Sequence, residues 1–82
     1  MPTANELRDL AVKYASTRNQ EKVEAFLDDS NIEGAQCCLL RIIDELSEGN
    51  AISADEAMSA YRIINLSDSH MECVRRPYTK KR

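Results

Sequence analysis

The segment from Ile32 to Leu46 restricts what this chain can fold into more than any other. Ile32, Ala35, Leu39, Ile42 and Leu46 recur at every third or fourth position, the spacing of one face of an α-helix. Within it, Cys37-Cys38-Leu39-Leu40-Arg41-Ile42-Ile43 is apolar except for Arg41. A helix that is apolar nearly all round has to be covered on several sides. The helix expected over about 31–48 is therefore central, and the rest of the chain packs around it. With 82 residues the chain makes one domain.

The remainder supplies short helices to cover it. Two Gly and two Pro leave few helix breakers among abundant Ala, Leu, Glu and Lys/Arg. Thr3-Ala4-Asn5-Glu6 has the capping-box form, and Leu7, Leu10, Ala11, Tyr14 and Ala15 follow at helical spacing. This predicts a first helix from 4 to about 16. Thr17 and Gln20 form a second box ahead of Val23, Phe26 and Leu27, so a break is expected there, with the second helix ending at Asp28-Asp29. Ser30-Asn31-Ile32-Glu33 is a third box and opens the central helix. Gly49-Asn50 can end it, because both residues tolerate the left-handed backbone of a helix terminus. Ser53-Ala54-Asp55-Glu56 then starts a helix over about 54–65, with Ile52 as a staple and Ala57, Ala60, Tyr61 and Ile64 as its apolar face. A short fifth helix is placed over Met71 and Val74, ahead of Pro77.

The fold class expected is all-α: a compact bundle of four to five short helices around the central helix, with a basic C-terminal tail. Residues 1–74 form the helical domain and 75–82 the tail. Tyr14, Phe26, Tyr61 and Tyr78 are the four aromatic residues, so the core has to be aliphatic, with Cys contributing.

Charge is divided along the chain. Residues 1–74 carry fourteen acids against six bases, a net of −8. Residues 75–82 carry five bases and no acid, a net of +5. The three cysteines, Cys37, Cys38 and Cys73, show no disulfide-framework spacing and point to a reducing compartment. The N-terminus lacks the pattern of a secretory signal, and no apolar run approaches a membrane span. A cytoplasmic protein with no membrane partner is expected.

Four chemistries can be tested against the residues. Taking Glu45 as position 1 of a calcium loop puts Ser47 at 3, Gly49 at 5, Asn50 at 6, Ile52 at 8, Ser53 at 9 and Glu56 at 12. Residues 45–56 thus resemble a degenerate EF-hand. With only two side-chain carboxylates among its ligands, the resemblance implies weak calcium binding or none. His70 with Cys37, Cys38 and Cys73 makes a zinc-type set by composition, but adjacent Cys37 and Cys38 diverge by ~100° on a helix. No metal or cofactor is assigned. His70 is the one general base near neutral pH and has no nucleophile-and-orienter arrangement in sequence, so no catalytic residue is named and a non-enzyme is expected. The helix pair 31–48 and 54–65 suggests helix-turn-helix, yet its second helix opens with Asp55 and Glu56, which repel phosphates.

What remains is surface charge. The expected function is a small helical protein-binding module, a regulator, inhibitor or accessory subunit that docks another protein through its acidic surface. One version is mimicry of nucleic-acid charge. The alternative is a nucleic-acid-associated protein that uses the tail, where Arg75, Arg76, Tyr78, Lys80, Lys81 and Arg82 would make phosphate and stacking contacts. The third is a sensor, either degenerate EF-hand-like or metal-linked. A homodimer is also compatible, since a core this small gains from a partner helix surface.

Overall fold

A computed structural model of the chain describes residues 2–65. Four helices account for most of them: α1 (Ala4–Tyr14), α2 (Thr17–Asp28), α3 (Ile32–Glu48) and α4 (Ala54–Ile64). The all-α bundle read from the sequence is the fold observed. The fifth helix expected near Met71 and the basic tail lie outside the described residues.

Local polar chemistry sets each boundary. At Thr3 the capping box is complete: Oγ1 accepts from the Glu6 N–H at 3.2 Å, and the Thr3 N–H donates to Glu6 Oε1 at 3.0 Å. At the second boundary the cap is Ser16, one residue earlier than the Thr17 box predicted, and its Oγ accepts from the Asn19 N–H. The Gln20 amide does not close a box. It donates to the Ala15 carbonyl at 3.1 Å, satisfying an acceptor that the end of α1 leaves free.

The α2–α3 corner does two jobs with adjacent residues. The Ser30 N–H donates to Leu27 O and the Asn31 N–H to Phe26 O, which is a Schellman ending for α2. Ser30 carries the left-handed conformation this ending needs, at φ 60°. It therefore cannot serve as the extended-backbone cap of the next helix, and the cap predicted at Ser30 falls on Asn31. Asn31 Oδ1 accepts from the Gly34 N–H at 2.9 Å. Gly34 has no room for a side chain: a Cβ there would lie 2.7 Å from Asn31 Nδ2 and 2.8 Å from Phe26 Cδ1. Ser30 is exposed and in a conformation that costs an L-residue roughly 1–2 kcal/mol. Ser30→Gly is expected to raise stability by about 0.5–1 kcal/mol, read as a rise of a few degrees in the thermal midpoint.

The α3–α4 corner repeats the device. Asn50 N–H donates to Ser47 O and Ala51 N–H to Leu46 O, with Asn50 at φ 59°. Gly49, at φ −81° and ψ 3°, keeps a negative φ, so Asn50 is the residue that makes the left-handed turn. Ser53 then caps α4, its Oγ accepting from the Glu56 N–H at 3.1 Å.

α3 packs against α1, α2 and α4, as its apolar circumference requires. α1 also touches all three other helices, while α2 and α4 do not meet. The α1–α3 pair is thus the spine, with α2 on one side and α4 on the other. The core is aliphatic: Leu7, Leu10 and Ala11 meet Val23 and Leu27, the inner face of α3 from Ala35 to Ile43, and Ala57, Ala60 and Ile64. Cys37 and Cys38, expected inside, are half-buried instead and sit on the α2-facing side of α3. Gln36 is the one buried polar side chain among the described residues, and its Nε2 donates to the Ile64 carbonyl at 2.7 Å.

Candidate functional site

Two grooves flank the spine. The first runs between α1 and α4. It encloses about 450 Å³ and is lined by Leu10, Tyr14, Ala60 and Ile63 with Glu6, Asp9, Lys13, Glu56 and Ser59. Buried Leu10 and Ala60 form its apolar floor, while Ile63, 41 % exposed, stands on the lip. Its rim is acidic. Glu6 and Asp9 lie one turn apart on α1, and Glu56, in the first turn of α4, lines the same groove at its Tyr14 end.

The far end of this groove is closed by a long-range hydrogen bond. The Tyr14 hydroxyl donates to Glu56 Oε2 at 2.7 Å. This draws the Glu56 carboxylate across to α1, and the capping box expected with Ser53 is made in one direction only. Lys13, the single base on the rim, lies with Nζ 5.2 Å from the centre of the Tyr14 ring. That is within cation–π range. The groove therefore presents carboxylates around an apolar strip.

The second groove, between α2 and α3, encloses about 520 Å³. Phe26, Cys37, Cys38 and Ile42 line it together with Asn19, Lys22, Arg41 and Glu45. Burial raises the Cys38 pKa above the ordinary thiol value, with Lys22 and Arg41 pulling the other way without cancelling it. Cys38 is therefore a protonated, sluggish thiol at neutral pH.

The residues singled out from sequence fall in three places. Of the EF-hand-like stretch, residues 46–51 form the hydrogen-bonded end of α3, Ser53 caps α4, and the carboxylate at position 12, Glu56, is turned toward Tyr14. Among the described residues no three His, Cys, Asp or Glu side chains gather in a metal-binding group. His70 and Cys73 of the zinc set, and Arg75, Arg76, Tyr78, Lys80, Lys81 and Arg82 of the tail, lie outside the described residues. The α1–α4 groove itself escaped sequence reading, because nothing local says that Glu6 and Asp9 will share a groove with Glu56. No described helix is long and apolar enough to cross a membrane.

Compared with family models, with curated proteins and with solved structures, the chain matches none of them.

Proposed function

We propose that this chain is a non-enzymatic protein-binding module that receives a basic segment of another protein in the α1–α4 groove, and so acts as a regulator, inhibitor or accessory subunit. One observation carries this reading: three carboxylates, Glu6, Asp9 and Glu56, line a groove with an apolar floor of Leu10 and Ala60 and with Ile63 at its lip. An apolar anchor flanked by Lys or Arg would bury its side chain on that floor and set its cations against the rim. Burial of the anchor supplies affinity, while the opposed charges supply register and a fast encounter. The net charge of −6 over residues 2–65, twelve acids against six bases, extends the attraction beyond the groove. The odd cysteine number and the half-buried thiols suit a reducing, cytoplasmic setting for such a partner.

The test compares the intact chain with Glu6→Lys/Asp9→Lys as baits in parallel affinity captures from the native host. The protein retained by the intact chain and lost by the variant is then purified for direct titration. Its Kd for the variant is expected to be weaker by about tenfold or more, with the intact interaction weakening as salt is raised. Equal affinity for both baits would refute the groove as the contact. The tail-based alternative has its own control: if the intact chain shifts a nucleic-acid probe and deletion of residues 75–82 abolishes the shift, that reading replaces this one.

A further inference from the structure

The α2–α3 groove is lined by two bases, Lys22 and Arg41, and one acid, Glu45, against the acidic balance of residues 2–65. On a body with twice as many acids as bases, Lys22 from α2 and Arg41 from α3 both line this one groove. They come from the two helices that form its walls and line it together with Cys38. The apolar lining comes from the Phe26 ring, Cys38 and Ile42. Gly34 keeps the Phe26 edge open, since any side chain there would displace the ring. At about 520 Å³ the groove falls within the range that houses small ligands, a mostly apolar lining with a few convergent polar groups.

We propose that this groove is a binding site for small amphipathic anions: a molecule with one anionic headgroup on a short apolar body. The headgroup sits between the Lys22 ammonium and the Arg41 guanidinium. The apolar body lies along Phe26, Cys38 and Ile42. Arg41 has interactions of its own within the protein, and a headgroup would join them on a planar fork of five N–H donors. Glu45, one turn from Arg41 on the same wall, sets polarity along the groove. It repels a second negative charge, so the site favours monoanions with a single charged end. This binding is independent of the α1–α4 groove, which lies on the opposite side of the spine.

The full chain can be tested with two defined probes, 8-anilinonaphthalene-1-sulfonate followed by fluorescence, and octanoate as competitor. Saturable binding is expected, with octanoate displacing the dye and the uncharged 1-octanol failing to do so at the same concentration. Lys22→Gln/Arg41→Gln is expected to raise the dye Kd by about tenfold or more, Lys22→Gln alone by a smaller factor, and Glu45→Gln to lower it. Octanoate is also expected to slow alkylation of Cys38 by N-ethylmaleimide, a readout of position that a fold-wide effect would not give. Each variant is checked for an unchanged thermal midpoint, and Lys22→Gln, on an exposed side chain, keeps the test decisive if the double variant loses stability. Non-saturable dye binding, an affinity indifferent to Lys22→Gln, or Cys38 alkylation that octanoate leaves unchanged would overturn the proposal.

Discussion

Leu39→Ala is expected to remove about 2–5 kcal/mol of stability, the largest effect of any single change considered. Leu39 is completely buried at the middle of α3, the helix that touches all three others. Truncation deletes three carbons from that contact and leaves a cavity that four short helices, linked by tight hydrogen-bonded corners, cannot easily close. A domain of this length has a total stability of roughly 4–12 kcal/mol at ~0.05–0.15 kcal/mol per residue. The variant should therefore melt far below the parent, or be partly unfolded at physiological temperature. Chemical denaturation followed by far-ultraviolet circular dichroism measures this. Val12→Ala, on a side chain 67 % exposed, is the control and should stay within about 0.5 kcal/mol. Equal losses from the two would mean that α3 is not the centre of the core.

Gln36→Leu is expected to destabilise by about 1–3 kcal/mol, although it replaces a polar core residue with an apolar one of similar size. The Gln36 amide is the donor to the Ile64 carbonyl, and Ile64 is completely buried at the end of α4. The carbonyls of a helix's last turn have no partner within the helix. Without Gln36 that carbonyl stays buried and unsatisfied, or the last turn of α4 opens to admit water. Amide exchange separates the effect from a general loss of packing: exchange in residues 61–65 should accelerate more than in the middle of α3. A stability equal to or above the parent would show that the carbonyl finds water at no cost.

The fold was legible in the sequence where local chemistry decides it. Thr3 with Glu6, and Ser53 ahead of Glu56, mark helix starts that depend on residues three positions apart. The apolar circumference of α3 demanded neighbours on several sides and obtained them. Errors arose where one residue could serve either of two elements. Ser16 and Thr17 both carry the hydroxyl a cap needs, and Ser16 takes the role while Gln20 turns back to the Ala15 carbonyl. Ser30 looked like a cap but is consumed by the ending of α2, which passes the cap to Asn31. Gln36 did leave a signal: it lies on the buried stripe of α3, three residues before Leu39 and four before Leu40. A polar side chain at such a position has to find a partner, yet the partner is on another helix and no spacing rule names it.

The candidate site was less legible for the same physical reason. An acidic body can be counted from composition, whereas a rim requires knowing which helices lie side by side. Glu6 and Asp9 are some fifty residues from Glu56 in the chain, and only the α1–α4 contact brings them to one groove. Likewise the EF-hand-like stretch reads as a loop of oxygen donors until Tyr14, forty-two residues upstream of Glu56, is seen to take that carboxylate.

The docking role of the α1–α4 groove is most directly tested by titrating the isotope-labelled full chain with a short peptide of alternating leucine and lysine or arginine and recording amide chemical shifts. The expected perturbations centre on Glu6, Asp9, Leu10, Ser59 and Ile63, fade as added salt shortens the screening length from about 10 Å at 0.1 M toward 3 Å at 1 M, and vanish in Glu6→Lys/Asp9→Lys. Shifts that are absent, that gather elsewhere on the surface, or that persist unchanged in the charge-reversed variant would contradict it.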